Sequence, residues 1–96
     1  MASIDAITLE TTVARSDTLV SAEVGEELVM LHLEKNAYYD TDATGADIWR
    51  RLASPVRVGD LRDDLLKSYE VDPQTCADDV LTFLSEAYRE GLIRVV

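Results

Sequence analysis

Between Glu27 and Trp49 the hydrophobic period changes, and that change constrains the fold more than any other feature of the chain. The run "ELVMLHL", Glu27 to Leu33, alternates as a strand does, with Val29, Leu31 and Leu33 on one face and Leu28, Met30 and His32 on the other. Beyond Asp42 the apolar positions Ile48, Trp49 and Leu52 instead share one face of a helix. Between the two patterns stands "KNAYYD", in which Ala37 to Asp40 predicts a third strand, short and near a sheet edge. Thr18 to Val24 supplies a strand ahead of these, joined to Glu27 through a tight turn at Gly25-Glu26. Weak alternation through Ile4, Ile7, Leu9 and Val13 predicts a loose arm or an edge strand over residues 1–15.

Three helices are expected after the strands. Asp42 or Thr44 caps the first, and Pro55 in "ASPV" stops it by disfavouring helix in the residue before it. The second runs from about Gly59 to Tyr69, with Leu61, Leu65 and Tyr69 four apart and a weakly capped start. The third is the best marked: Asp72 is an N-cap, Pro73 suits the first turn, and Gly91 stands where a left-handed C-cap belongs. Cys76, Val80, Phe83, Leu84 and Ala87 recur along it at helical spacing, and Leu81 and Tyr88 widen the stripe. "LIRVV" adds a last short strand or packs back on the core. The expected architecture is α+β, a winged helix-turn-helix with a three-stranded antiparallel sheet followed by three helices, all within one domain spanning residues 1–96.

Charge and residue chemistry exclude several functions. Nineteen acidic against nine basic residues give a net charge of −10, a field that repels phosphate backbones and makes nucleic acid an unsuitable partner. The third helix sharpens the point, carrying Asp72, Asp78, Asp79, Glu86 and Glu90 against the single cation Arg89 where a DNA-reading helix needs donors. No run approaches the roughly 20 apolar residues that span a bilayer, the start lacks a basic n-region, and the lone Cys76 fits a reducing compartment. These features together predict a cytoplasmic protein. His32 has no evident catalytic partner, Cys76 reads as a buried structural thiol, and "DTDATGAD" lacks the spacing of a calcium loop. The expectation is a protein with no catalytic residues, no metal and no cofactor.

At this point the segments "ELVMLHLEKNAYYDTDATGADIWRRL" and "VDPQTCADDVLTFLSEAYREGLI", with a Val/Leu-rich helix between them, resemble a family. The chain from about Leu19 to Val96 is similar to PqqD and its relatives, the leader-peptide recognition elements of ribosomally made, modified peptides. Each mark is degenerate; the order of the whole set carries the likeness. A free-standing domain of this size is most similar to the leader-binding proteins of lasso-peptide pathways.

The resemblance implies that the leader of a precursor peptide adds as an antiparallel strand to the third strand, in the cleft beside the third helix. Carried onto this chain, the receiving edge is Asn36, Ala37, Tyr38, Tyr39 and Asp40. The facing wall is Val80, Phe83, Leu84 and Ala87, with Asp79 and Tyr88 beside them. It also implies delivery of the peptide to a leader peptidase (a cysteine protease) and a lasso cyclase. On this reading Phe83→Ala and Val80→Asp both weaken leader binding tenfold or more while the domain stays folded.

An unpaired strand edge accepts another strand unless something blocks it, and no proline stands in this one. Three competing functions stay open at this stage. A winged-helix transcription regulator would show in a gel shift, and a thiol enzyme built on Cys76 would react with iodoacetamide when native. A scaffold or accessory subunit is the third.

Overall fold

The computed structural model of the chain describes residues 7–96, with three helices and two three-stranded antiparallel sheets. The strands are β1 (Thr12–Arg15), β2 (Leu19–Val24), β3 (Glu27–His32), β4 (Ala37–Thr41), β5 (Val56–Arg57) and β6 (Ile93–Val95). The helices are α1 (Ala43–Arg51), α2 (Val58–Ser68) and α3 (Pro73–Arg89).

One sheet is a meander in the order β2-β3-β4. Gly25 takes the positive φ of 65° at the first position of its two-residue turn, which sets the register Val24↔Glu27 through Leu19↔His32. Asn36 has φ 53° and closes the β3–β4 turn, fixing His32↔Ala37 through Leu28↔Thr41. Register decides which face of β3 is inside. Leu28, Met30 and His32 are buried, while Val29 and Leu31 lie half-covered on the outer face. The expected hairpin, its turn and the third short strand are all present.

The second sheet corrects the expected architecture. Three strands are not simply followed by three helices: β5 lies between α1 and α2, and β6 follows α3. These two flank β1 in the order β5-β1-β6, with Val13↔Val56 on one side and Arg15↔Ile93 on the other. The N-terminal segment is therefore neither a loose arm nor an edge: over Thr12–Arg15 it is a central strand, and Val13 is wholly buried. Backbone bonds extend the seam, from Val58 to Thr11 at 2.8 Å, Gly59 to Leu9 at 2.8 Å and Val96 to Thr12 at 3.0 Å. The part of the expected arm before Ile7 lies outside the described residues.

The helix ends follow local chemistry. The Asp42 carboxylate accepts from Gly45 N at 3.0 Å, and Asp72 accepts from both Gln74 N and Thr75 N. No side chain caps the start of α2, whose amides at Val58 and Gly59 instead join the β1 seam. At the end of α3, Leu92 N bonds to Ala87 O and Gly91 N to Tyr88 O, a Schellman closure with Gly91 at φ 79°. A Cβ there would also stand 3.1 Å from Nε2 of His32, so this turn needs glycine on both counts. One core runs between the sheets and helices, with Trp49, Leu28, Leu52, Leu61, Leu84, Val13, Val58 and Val80 fully enclosed. Among the described residues no helix is long and apolar enough to cross a membrane.

Candidate functional site

β4 pairs with β3 on one side, and no strand among the described residues covers its other edge. In an antiparallel strand alternate N–H and C=O groups point away from the neighbour, so this edge offers hydrogen bonds with no partner strand. Beside it lies the C-terminal half of α3. A pocket of about 150 Å³ opens between them, floored by Met30, Trp49, Ala87 and Leu92 and walled by Tyr39, Phe83 and Glu86. Phe83, Glu86, Ala87 and Glu90 fall at i, i+3, i+4 and i+7, one stripe of the helix turned to β4.

Three local features shape this groove. Gly45 in the first turn of α1 abuts the Thr41 side chain, and a Cβ there would come within 3.1 Å of the Phe83 ring. The missing side chain thus lets α1, β4 and α3 converge at Phe83. At the other end the Tyr39 hydroxyl donates to the Glu90 carboxylate at 3.0 Å, and Lys35 Nζ donates to Glu90 O at 2.8 Å. Partial burial and the Glu90 carboxylate together raise the Tyr39 phenol above its ordinary value. Beneath the floor, Arg15 lies 4.9 Å from the Trp49 ring centroid and donates to Trp49 O at 2.7 Å. The Trp49 indole N–H is buried with no acceptor among the described residues.

A second pocket, of about 180 Å³, continues along the N-terminal half of α3. It is formed by Thr44, Ile48, Leu65, Tyr69, Val71, Cys76, Asp79 and Val80. Tyr69 is held there by its hydroxyl, which donates to Asp47 at 2.7 Å. A third, shallower notch gathers Glu27, Asp40, Thr41 and Asp42 at the Thr41 end of the open edge.

The family is decided by a match over most of this region. The family model described as coenzyme PQQ synthesis protein D (PqqD) matches residues 27–93. The chain belongs to the PqqD family. A solved structure described as TbiB1 in complex with the TbiA(beta) leader peptide is 33% identical, with a TM-score of 0.79 over 84% of this chain and 94% of that one. A second, described as lasso peptide synthetase B1 complexed with the leader peptide, is 20% identical and shares the fold, with a TM-score of 0.71 over 85% of this chain and 96% of that one. No curated protein matches the sequence.

In this PqqD-family chain the residues expected at the site do not all come together. Tyr39, Asp40, Phe83 and Ala87 line the first pocket together. Asp79 and Val80 line the second pocket instead, and Val80 is only 1% exposed. Leu84 is fully buried in the core, and Tyr88 packs half-buried against the core without lining either pocket. Asn36 stands in the turn before β4, and Ala37 begins the strand. Tyr38 points to the outer face of the sheet, level with Leu31 and Val20, and is 74% exposed.

Met30, Thr41, Trp49, Glu86, Glu90 and Leu92 also line the first pocket, and none stood among the residues expected at the site. Spacing from Phe83 could have found Glu86 and Glu90; nothing local ties Met30 or Trp49 to the groove. Cys76 is buried, and burial raises its thiol above the usual value, with Asp79 and Asp63 adding to the rise and Arg62 opposing it. His32 is buried, and its Nδ1 accepts from Lys35 N at 3.3 Å.

Proposed function

We propose that this protein binds the leader of a ribosomally made precursor peptide as an added strand on the free edge of β4. The observation that carries the reading is the uncovered edge of β4 lying directly beside an apolar pocket on α3. Family membership supports it, as does the likeness to a 33% identical structure described with a leader peptide bound.

The energetics require both halves of the site. About four backbone hydrogen bonds at ~1 kcal/mol net each do not offset the roughly 4–15 kcal/mol that association and ordering cost. Buried apolar anchors, at about 1.5–3 kcal/mol each, are therefore required beside the backbone pairing. Asn36 to Asp40 provide register in this scheme, and Phe83 and Ala87 provide the apolar wall. Val80 and Leu84 hold that wall from beneath, while Asp79 and Tyr88 flank it.

The role is one of recognition without chemistry, on a winged helix-turn-helix plan turned from DNA to peptide. The bound leader is presented to a leader peptidase and a lasso cyclase in the cytoplasm. Amide chemical-shift mapping with a synthetic lasso-precursor leader peptide tests the reading. Shifts should concentrate in Ala37–Thr41, Phe83 and Ala87. Shifts confined to the β5-β1-β6 sheet would reject it.

A further inference from the structure

The carboxylates around the groove are distributed unevenly, and they are left without ion pairs. Glu27, Asp40 and Asp42 gather in the notch at the Thr41 end of β4, Asp79 lines the second pocket, and Glu86 stands on the wall of the first. No lysine or arginine lines any of these three pockets. The ion pairs among the described residues use other acids: Glu10, Glu23, Asp47, Asp60, Asp63 and Asp64. At the opposite end of β4 Lys35 is bonded to Glu90 O, and Arg89 lies with Glu86 in a further shallow pocket on α3.

The groove is thus more acidic where β4 ends at Thr41, because at its start Lys35 stands beside Glu90, whose carboxylate accepts from the Tyr39 hydroxyl. Its apolar floor separates these ends. A guest strand antiparallel to β4 places its own N-terminal side at the Thr41 end. We infer that the peptide this groove accepts is basic on the N-terminal side of its paired segment. Lys or Arg residues there meet Glu27, Asp40 and Asp42, and the next side chains toward α3 meet Asp79 and Glu86. The inference rests on the peptide-binding reading and adds to it the charge and direction of the peptide.

The physical effect is selection more than raw affinity. Exposed charge pairs each contribute little, but several unpaired carboxylates facing one segment raise the association rate and penalise an acidic guest. Two or three such contacts amount to about a tenfold preference for a basic over an acidic flank. The preference shrinks toward 1 M salt, where the screening length is ~3 Å.

A displayed library of random short peptides, selected on the folded protein and counter-selected on Phe83→Ala, supplies the test. The same selection is repeated on a Glu27→Gln/Asp40→Asn/Glu86→Gln variant checked for folding by circular dichroism. Selected peptides are then synthesised with Lys or Glu flanks and titrated by fluorescence anisotropy at low and high salt. Support is an excess of Lys and Arg on the N-terminal side of the selected sequences, lost in the triple variant. Phe83-dependent peptides without that excess, or with an excess the triple variant keeps, overturn the inference and leave the peptide site standing. Failure to select any Phe83-dependent peptide overturns the site and the inference together.

Discussion

The Tyr39 hydroxyl and the Glu90 carboxylate meet at 3.0 Å, joining the open-edged strand β4 to the C-cap residue of α3. This bond closes one end of the groove and sets the distance between the two elements that form it.

Its alkaline behaviour follows from the direction of the Tyr39 shift. Partial burial and the Glu90 charge disfavour the phenolate, so the folded state titrates above the ordinary value of 10.0. A group raised on folding contributes its full stability below the unfolded value and loses it as pH rises through the folded one. Tyr69, raised by its bond to Asp47, behaves alike. Wild type should lose stability above about pH 10. Tyr39→Phe should start slightly less stable than wild type at neutral pH, where the bond contributes in full, and should lose less over that range. Urea midpoints across the interval measure the difference, and parallel curves would mean that this bond does not form in solution.

Phe83 and Val80 separate binding from folding. Phe83 is half-buried on the groove wall, so Phe83→Ala is expected to weaken peptide binding tenfold or more in a folded domain. Val80 is 1% exposed, and Val80→Asp would bury an unpaired carboxylate. That substitution should cost several kcal/mol and unfold much of the protein, against the sequence-based expectation of a folded, binding-deficient variant. Leu84→Ala should cost about 2–5 kcal/mol for the same reason of place. Thermal melts beside anisotropy titrations distinguish the two classes of variant.

Asp47 sets the acid limb. Burial alone would raise its carboxyl, but hydrogen bonds from Tyr69 and Arg51, with the charges of Arg51 and Arg50, outweigh burial and hold it below 3.8. A carboxylate depressed on folding contributes above its unfolded value and loses that contribution as pH falls through the folded one. Asp47→Asn should therefore lower stability at neutral pH by under about 1 kcal/mol and flatten the decline below about pH 4. Equal acid limbs in the two proteins would remove Asp47 from the account.

Deleting residues through Arg15 tests the second sheet. The deletion removes buried Val13 and Ala14 and leaves β5 and β6 without their shared partner. A loss of several kcal/mol at roughly 4–8 °C per kcal/mol should lower the melting temperature by tens of degrees or abolish the transition. A detachable arm would give almost no change.

How much of this was legible locally differs between elements. Asp72-Pro73 and Gly91 delimit α3 from sequence because capping and left-handed turns depend on a few adjacent residues. The hairpin through Gly25 and the short strand at Ala37 were readable for the same reason, and so were the acidic charge and the apolar stripe. The β5-β1-β6 sheet was not, although β6 meets the expectation of a last short strand in "LIRVV". Its strands are two to four residues long, too short for a period, and its pairs join Thr12 to Arg57 and Arg15 to Ile93 across the chain.

Nor could periodicity divide the stripe on α3 between groove and core. Phe83 and Ala87 reach the pocket while Val80 and Leu84 pass beneath it, because of how the helix is rotated against β4 and because Gly45 lets the first turn of α1 approach the ring. Local sequence determined the three helices, the β2–β3 hairpin and the short strand β4, since those depend on neighbours in the chain. Tertiary packing alone decided which edge stayed open and which side chains face it, since both depend on contacts between residues far apart in sequence.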